Sequence, residues 1–339
     1  MDAPPMMNFS KYNILPTELR SHVISYNDYK TLSNYASCSR MCNQEVQKNH
    51  IHIPEVIKLE EEKNNVVVVT LNYGAPRRMS YRVKYRTFDE NQHLMRYTDE
   101  VYLSMDSYYV YDGDAYQAAV EYIKNRLKHA RIGEPPRLSI NMKIWPSDLF
   151  RMPGIQKCRD WTITIYESMY QRFYVTIIEH QIHDAVLRLN KPSGNSEPFR
   201  IPAQFFDSPF FQNLKCFECN YPLPELSVNI FLSMKATLID IDISTLSYTA
   251  INQKIQQWFA NPPETKPTYV FNRASTSLQR RNEILQNLPI EHQHNLSASR
   301  INLKHETGVR AVIFFMWNHI SFTVDHESWC KWKRNQSSD

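Results

Sequence analysis

Between residues 138 and 272 the sequence keeps returning to one short plan, and this constrains the fold more than any motif does. Strand candidates stand at LSINMKI (138–144), WTITIY (161–166), AVLRL (185–189), LKCFEC (214–219), TLIDIDI (237–243) and PTYVFN (267–272). The first five begin about 22 to 29 residues apart, and the sixth follows a longer insertion. Between them lie turn-rich or helical pieces such as PSDLF (146–150), PAQFFDSPFF (202–211) and TAINQKIQQWF (249–259). A strand plus a returning segment cannot bury its own apolar face, so such units are stable only when stacked on neighbours. Within a strand the alternation is clear: Ile239, Ile241 and Ile243 face one way, Asp240 and Asp242 the other.

The flanking segments obey other periods. VVVVTLNY (66–73) is β-branched and bounded by Asn and Gly, and YRVKYRTF (81–88) alternates Tyr81, Val83 and Tyr85 with basic residues as its hairpin partner. From Asp114, a suitable N-cap, Tyr116, Ala119, Val120, Ile123, Leu127 and Ala130 recur at helical spacing up to the stop at Gly133. Gln279, Arg280 and Arg281 fall on a further helix with Ile284, Leu285 and Leu288, while 312–317 and 319–324 read as a closing hairpin or cap. The fold class expected is α+β, with an irregular, leucine-rich-repeat-like α/β domain, since the Asn/Cys ladder of regular repeats is missing.

The chain has six glycines among 339 residues, and no two fall within six positions of each other. The Rossmann fingerprint, the P-loop and the G-x-S-x-G nucleophile elbow each need such a pair, so all three are excluded. A balance of 39 basic against 35 acidic residues argues for neither nucleic acid nor membrane as partner. Arg77-Arg78 and Arg280-Arg281 are too short to form a basic stripe. The amino terminus lacks a basic region followed by an apolar one, so an intracellular location is expected, with reduced thiols and with cytosol and nucleus not distinguished.

Four constellations invite a chemical reading. Cys216 and Cys219 form a lone C-x-x-C within a strand, where positions i and i+3 point to opposite faces, so packing rather than metal ligation is expected. Cys38 and Cys42 lack companions and read the same way. His180, His183 and Asp184 lack the H-E-x-x-H pattern; they would support an enzyme only inside a deep pocket. Asp240 and Asp242 read as the polar side of an amphipathic strand that can contribute to a ligand-facing surface. No catalytic, cofactor-binding or metal-binding residue is assigned.

The stretch ILPTELRSHVISYNDYKTLSNYASCSRMCN (14–43) opens with Pro ahead of a helix and spaces Leu19, Val23 and Tyr26 along one face. It resembles an F-box: Leu15, Pro16, Glu18, Leu19, Val23, Ile24, Tyr26, Asp28, Leu32, Ala36, Ser39 and Arg40 fit its pattern without a gap. Asn27 stands where Leu is usual and Cys42 where Trp is common. The remainder is similar to the expanded nematode F-box families with an F-box-associated domain, whose recurrent helix, Asn, Trp and aromatic strand match Asn252, Trp258 and 267–271.

The resemblance implies a non-catalytic substrate receptor of an SCF, cullin-type, ubiquitin ligase. Leu15, Pro16, Leu19, Val23, Tyr26 and Leu32 would dock on a Skp-type adaptor joined to a cullin scaffold, and residues 54–325 would bind an unknown protein target. The expected organisation is a flexible leader (1–11), the F-box-like helical module (12–53), the repeat-like domain (54–325) and a tail (326–339). The alternative is a protein-interaction scaffold whose degenerate F-box no longer serves a ligase.

Overall fold

The computed structural model describes residues 16, 19, 20 and 42, and then 54–62, 66–73, 79–89, 92–99, 107–111, 114–127, 135–179, 184–192, 199–260, 266–291 and 299–325. The expected leader, most of the F-box-like module and the tail lie outside the described residues. The chain divides into two compact units, one of residues 1–57, 62–136 and 148–157, the other of 58–61, 137–147 and 158–339.

Strand β1 (Val56–Glu62) is followed in the first unit by a meander of β2 (Val66–Tyr73), β3 (Met79–Asp89), β4 (Gln92–Asp99) and β5 (Ser107–Tyr111). Each pairs antiparallel with the next, with Val69 opposite Val83, Tyr85 opposite Met95, and Met95 opposite Tyr109. Strand β2 is buried on both faces from Val67 to Leu71, as a continuous β-branched run requires. Helix α1 (Ala115–Leu127) lies on β2 and β3. Asp114 caps it, its Oδ2 accepting from the Gln117 amide at 3.2 Å, and Ala115, Ala119, Val120 and Ile123 are buried as their spacing predicts. The short turns α2 (Ser147–Phe150) and α3 (Pro153–Gln156) bury Leu149, Phe150 and Ile155.

All six strands of the repeating plan are present in the second unit: β6 (Arg137–Asn141), β7 (Asp160–Thr164), β8 (Val186–Asn190), β9 (Cys216–Pro222), β10 (Leu238–Asp242) and β11 (Thr268–Asn272). They pair parallel in sequence order. Strands β12 (Arg300–Lys304), β13 (Arg310–Met316) and β14 (His319–Val324) complete the run, β14 adding antiparallel to β11. The order is β12-β13-β14-β11-β10-β9-β8-β7-β6, with residues 58–61 of β1 beside β6. This is a mixed helix-and-strand fold on a mostly parallel sheet.

The connections carry α4 (Glu167–Glu179), α5 (Ala203–Phe206), α6 (Pro209–Gln212), α7 (Val228–Ser233), α8 (Tyr248–Ala260) and α9 (Leu278–Leu285). They pack on one face of the sheet. Phe173 meets Trp161 of β7 at 6.4 Å between ring centroids, Phe211 meets Phe217 of β9 at 4.9 Å, Phe231 meets Phe271 of β11 at 6.2 Å, and Trp258 meets Phe322 of β14 at 5.5 Å. Those strand aromatics share one side of the pleat. Aromatic side chains bury the most area per residue, so short helical pieces suffice to cover short strands.

With so few glycines, the usual left-handed glycine that ends a helix is scarce, and side chains satisfy the terminal carbonyls instead. The Lys254 ammonium donates to Leu232 O (3.0 Å) and Met234 O (2.6 Å) at the end of α7. Asn252 Nδ2 donates to Ile284 O (2.6 Å) and Gln286 O (2.8 Å) at the end of α9. The Thr307 amide donates to His305 Nδ1, so the ring's Nε2–H donates to Phe259 O in the last turn of α8, at 2.7 Å. Asp184, Arg273 and Asn287 take positive φ at chain reversals where glycine is the ordinary choice.

Candidate functional site

The face of the parallel sheet opposite the helices is polar, and among the described residues of this unit no helix packs on it. The pairing register sets one row straight across it. Ser139 of β6 stands beside Thr162, Thr162 beside Arg188, Arg188 beside Glu218, and Glu218 beside Asp240. The row continues through Val270, Ser321 and Phe314 to Arg300 on β12. These side chains are half-buried or exposed, whereas the intervening residues on the helix side are buried. Parallel sheets are usually covered on both faces, so a half-open one is a surface for something else to occupy.

Charge on this face is centred on Arg188, whose Nε donates to Glu218 Oε1 at 3.1 Å and whose Nη1 donates to Asp160 Oδ1. Burial works against the guanidinium charge, but the two carboxylates outweigh it and raise its pKa. Asp240 accepts from Asn272 Nδ2 and, among the described residues, has no cation within ion-pair distance. Burial raises its pKa, and the neighbouring Glu218 adds to the rise, against the Asn272 hydrogen bond and His319. Asp242, next along the strand, is fully buried instead; its Oδ1 accepts from the Ser244 amide at 2.9 Å, and Arg273 Nε lies 3.2 Å from Oδ2. The two aspartates that the sequence groups together thus have different surroundings.

At the antiparallel end of the face β13 presents apolar side chains between the polar ones of β14 and β12. Phe314 is half-buried under the Arg300 guanidinium, 5.7 Å from the ring centroid, while Met316 is 47 % exposed. Trp317 occupies the β13–β14 turn and is 95 % exposed, although the turn is fixed by the Ala274 amide donating to Asn318 O at 3.1 Å. Sequence reading identified the hairpin but not this side chain, because an aromatic between VIFFM and a strand looks like core.

The other constellations do not converge. Cys216 donates to Glu218 Oε1 at 3.4 Å on the open face, and Cys219 to Tyr221 O at 3.4 Å on the helix face, the separation that strand alternation demands. Burial pushes both thiols up to about 12, as it does Cys158, so none is a ready nucleophile. Asp184 is an exposed turn residue with φ 55°, while His180 and His183 lie outside the described residues. No cluster of metal-ligating side chains and no helix long and apolar enough to cross a membrane occurs among the described residues.

Of the residues expected to dock on an adaptor, Pro16 and Leu19 are described. Leu19 is helical and 51 % exposed, and the Arg20 amide donates to Pro16 O at 3.0 Å, so Pro16 opens the helix. Leu15, Val23, Tyr26 and Leu32 lie outside the described residues. Asn252 and Trp258 have structural roles, the first as the α9 cap and the second as a core ring. Lys254 is not among the residues the sequence analysis singles out, although it stands between Ala250 and Trp258 at four-residue spacing on the apolar stripe, where a charge is anomalous. Comparison of the chain with family models, with characterised proteins and with solved structures yields no match.

Proposed function

We propose that the chain is the substrate-recognition subunit of an SCF ubiquitin ligase, binding a Skp-type adaptor through residues 14–43 and a protein target through the open sheet face. The observation that carries this reading is the segment from Leu15 to Arg40, with its apolar anchors at F-box spacing. The exposed, helical Leu19 behind Pro16 supports it. Sequential parallel strands with helices on one side support a leucine-rich-repeat-like, F-box-associated domain for the rest. Ubiquitin transfer would then occur on other subunits, and this chain would supply proximity alone.

An adaptor interface of ordinary size buries ~800 Å² per partner. If Leu19 is a central anchor, its replacement by Asp costs roughly 2–4 kcal/mol of binding. The test is co-expression with a Skp-type adaptor carrying the purification tag, comparing the wild-type chain with Leu15→Asp/Leu19→Asp, both checked for folding by circular dichroism. Retention of the wild type alone establishes the docking. Retention of neither, or of both, removes the ligase reading. The scaffold alternative draws its support from Cys42, which is half-buried on a helix where the larger Trp is common.

A further inference from the structure

We propose that the open face takes an extended protein segment bearing an apolar side chain and, four to six residues away, a lysine or arginine. The apolar group would seat on Met316 and Trp317 beside Phe314, and the cation at Asp240 and Glu218. The inference rests on the receptor reading in one respect, that the segment would belong to the ligase's target; the surface argument does not need the adaptor.

The apolar half follows from exposure and stiffness. A tryptophan 95 % exposed on a paired hairpin leaves a large apolar area in water on a backbone that is already fixed. Met316 precedes it in the chain, and Phe314 lies two residues further back on the same face as Met316. The charged half follows from the count of partners. Asp160 and Glu218 share Arg188, and Arg137 Nε approaches Asp160 at 3.8 Å. Asp240, adjacent to Glu218 in the row, has the Asn272 amide as its hydrogen-bond partner and His319 as a neighbour, and among the described residues no lysine or arginine within ion-pair distance. A cation arriving between Asp240 and Glu218 would relieve a like-charge pair held partly out of water.

Geometry sets the spacing. Phe314 on β13 and Asp240 on β10 lie in one row three strand intervals apart, and at about 4.8 Å per interval this is about 14 Å. Glu218, one strand further, is about 19 Å away. An extended chain covers ~3.3 Å per residue, hence the separation of four to six. The occupant must cross the face rather than extend the sheet, because the outer edge at β12 is already engaged: Glu291 N donates to Asn302 O and Lys304 N to Pro289 O, each at 3.0 Å. At Glu218 and Asp240 the row presents two carboxylates, which disfavour a phosphate at this point and suit the lysine or arginine of a protein segment.

Random displayed peptides of about twelve residues, ~40 Å when extended, can be selected on the immobilised full-length chain and the winners measured by fluorescence anisotropy. The expected result is a family sharing an apolar residue and a Lys or Arg four to six positions apart. Affinity should fall roughly tenfold or more in Trp317→Ala and in Asp240→Asn, and fall as salt rises, with circular dichroism unchanged. Absence of any enriched family, enrichment without basic residues, or wild-type affinity in either variant would overturn the inference. Adaptor retention is read separately: a chain that keeps the adaptor but selects no such peptide sinks this inference alone, and the reverse outcome sinks only the ligase reading.

Discussion

Replacing Lys254 by Met tests the helical layer most sharply. The ammonium is 5 % exposed, bonded to Leu232 O and Met234 O, and 5.8 Å from the Phe231 ring, and burial lowers its pKa from 10.5 to about 8. Met keeps the length and loses the donors. Two orphaned carbonyls cost about 1–3 kcal/mol each, whereas removing a charge destabilised by about 2.5 pKa units returns roughly 3.4 kcal/mol at neutral pH. The terms nearly cancel, so stability at one pH is uninformative, but its pH dependence is not. The folded pKa lies below the unfolded one, so between about 8 and 10.5 the unfolded chain binds more protons and wild-type stability rises with pH. From about pH 7.5 to about pH 10 the gain is ~2.4 kcal/mol, and the variant lacks it. Cys158, Cys216 and Cys219, raised to about 12, act in the opposite sense above pH 9, but equally in both proteins, so the difference between them isolates Lys254. Urea unfolding of both at the two pH values is the assay. Parallel stabilities would refute the account of a desolvated, carbonyl-capping ammonium.

Asn252→Ala removes both donors from the end of α9 and should cost about 2–4 kcal/mol in urea unfolding; a loss under ~0.5 kcal/mol would show the cap to be idle. Asp240→Asn should unfold at a higher temperature than wild type at pH 7, because a raised carboxyl pKa means the folded state prefers the neutral form. That gap should close as pH falls below 3.8, and a variant less stable at pH 7 would contradict the burial argument. Thiol-reactive probes at pH 8, read by peptide mass spectrometry, should spare Cys158, Cys216 and Cys219 in the folded chain and modify them after denaturation. Rapid native labelling of Cys216 or Cys219 would restore a redox reading of the C-x-x-C pair.

Local periodicity was legible wherever a segment alternates cleanly. The six repeat strands, β2, α1 and α8 were readable from side-chain spacing, and the Ile239/Ile241 face is the buried one. Strands β1 and β4 were not, because VIKLEEE and QHLMRYTD interrupt the alternation with adjacent apolar or adjacent charged residues. Helix α4 was missed because ESMYQRFYVTIIE is rich in aromatic and β-branched residues, although Met169, Tyr170, Phe173, Thr176 and Ile177 keep a helical stripe. The strand expected over 138–144 stops at Asn141. Beyond it Trp145 turns inward, its Nε1 donating to Thr176 Oγ1 at 2.8 Å, a long-range bond that overrides local β-propensity.

By itself, then, the sequence determined which residues of each strand share a face, because that depends only on the two-residue pleat. It also excluded the glycine-dependent nucleotide sites and carried the spacing at 14–43 on which the ligase proposal rests. The tertiary structure decided what stands next to what. Arg188 between Asp160 and Glu218, and Asp240 beside Glu218 and Asn272, depend on strand pairing between residues tens of positions apart. Backbone hydrogen bonds that set such pairing are the same for every side chain, so the partner of a strand is chosen by the burial of the whole sheet and not by its own pattern.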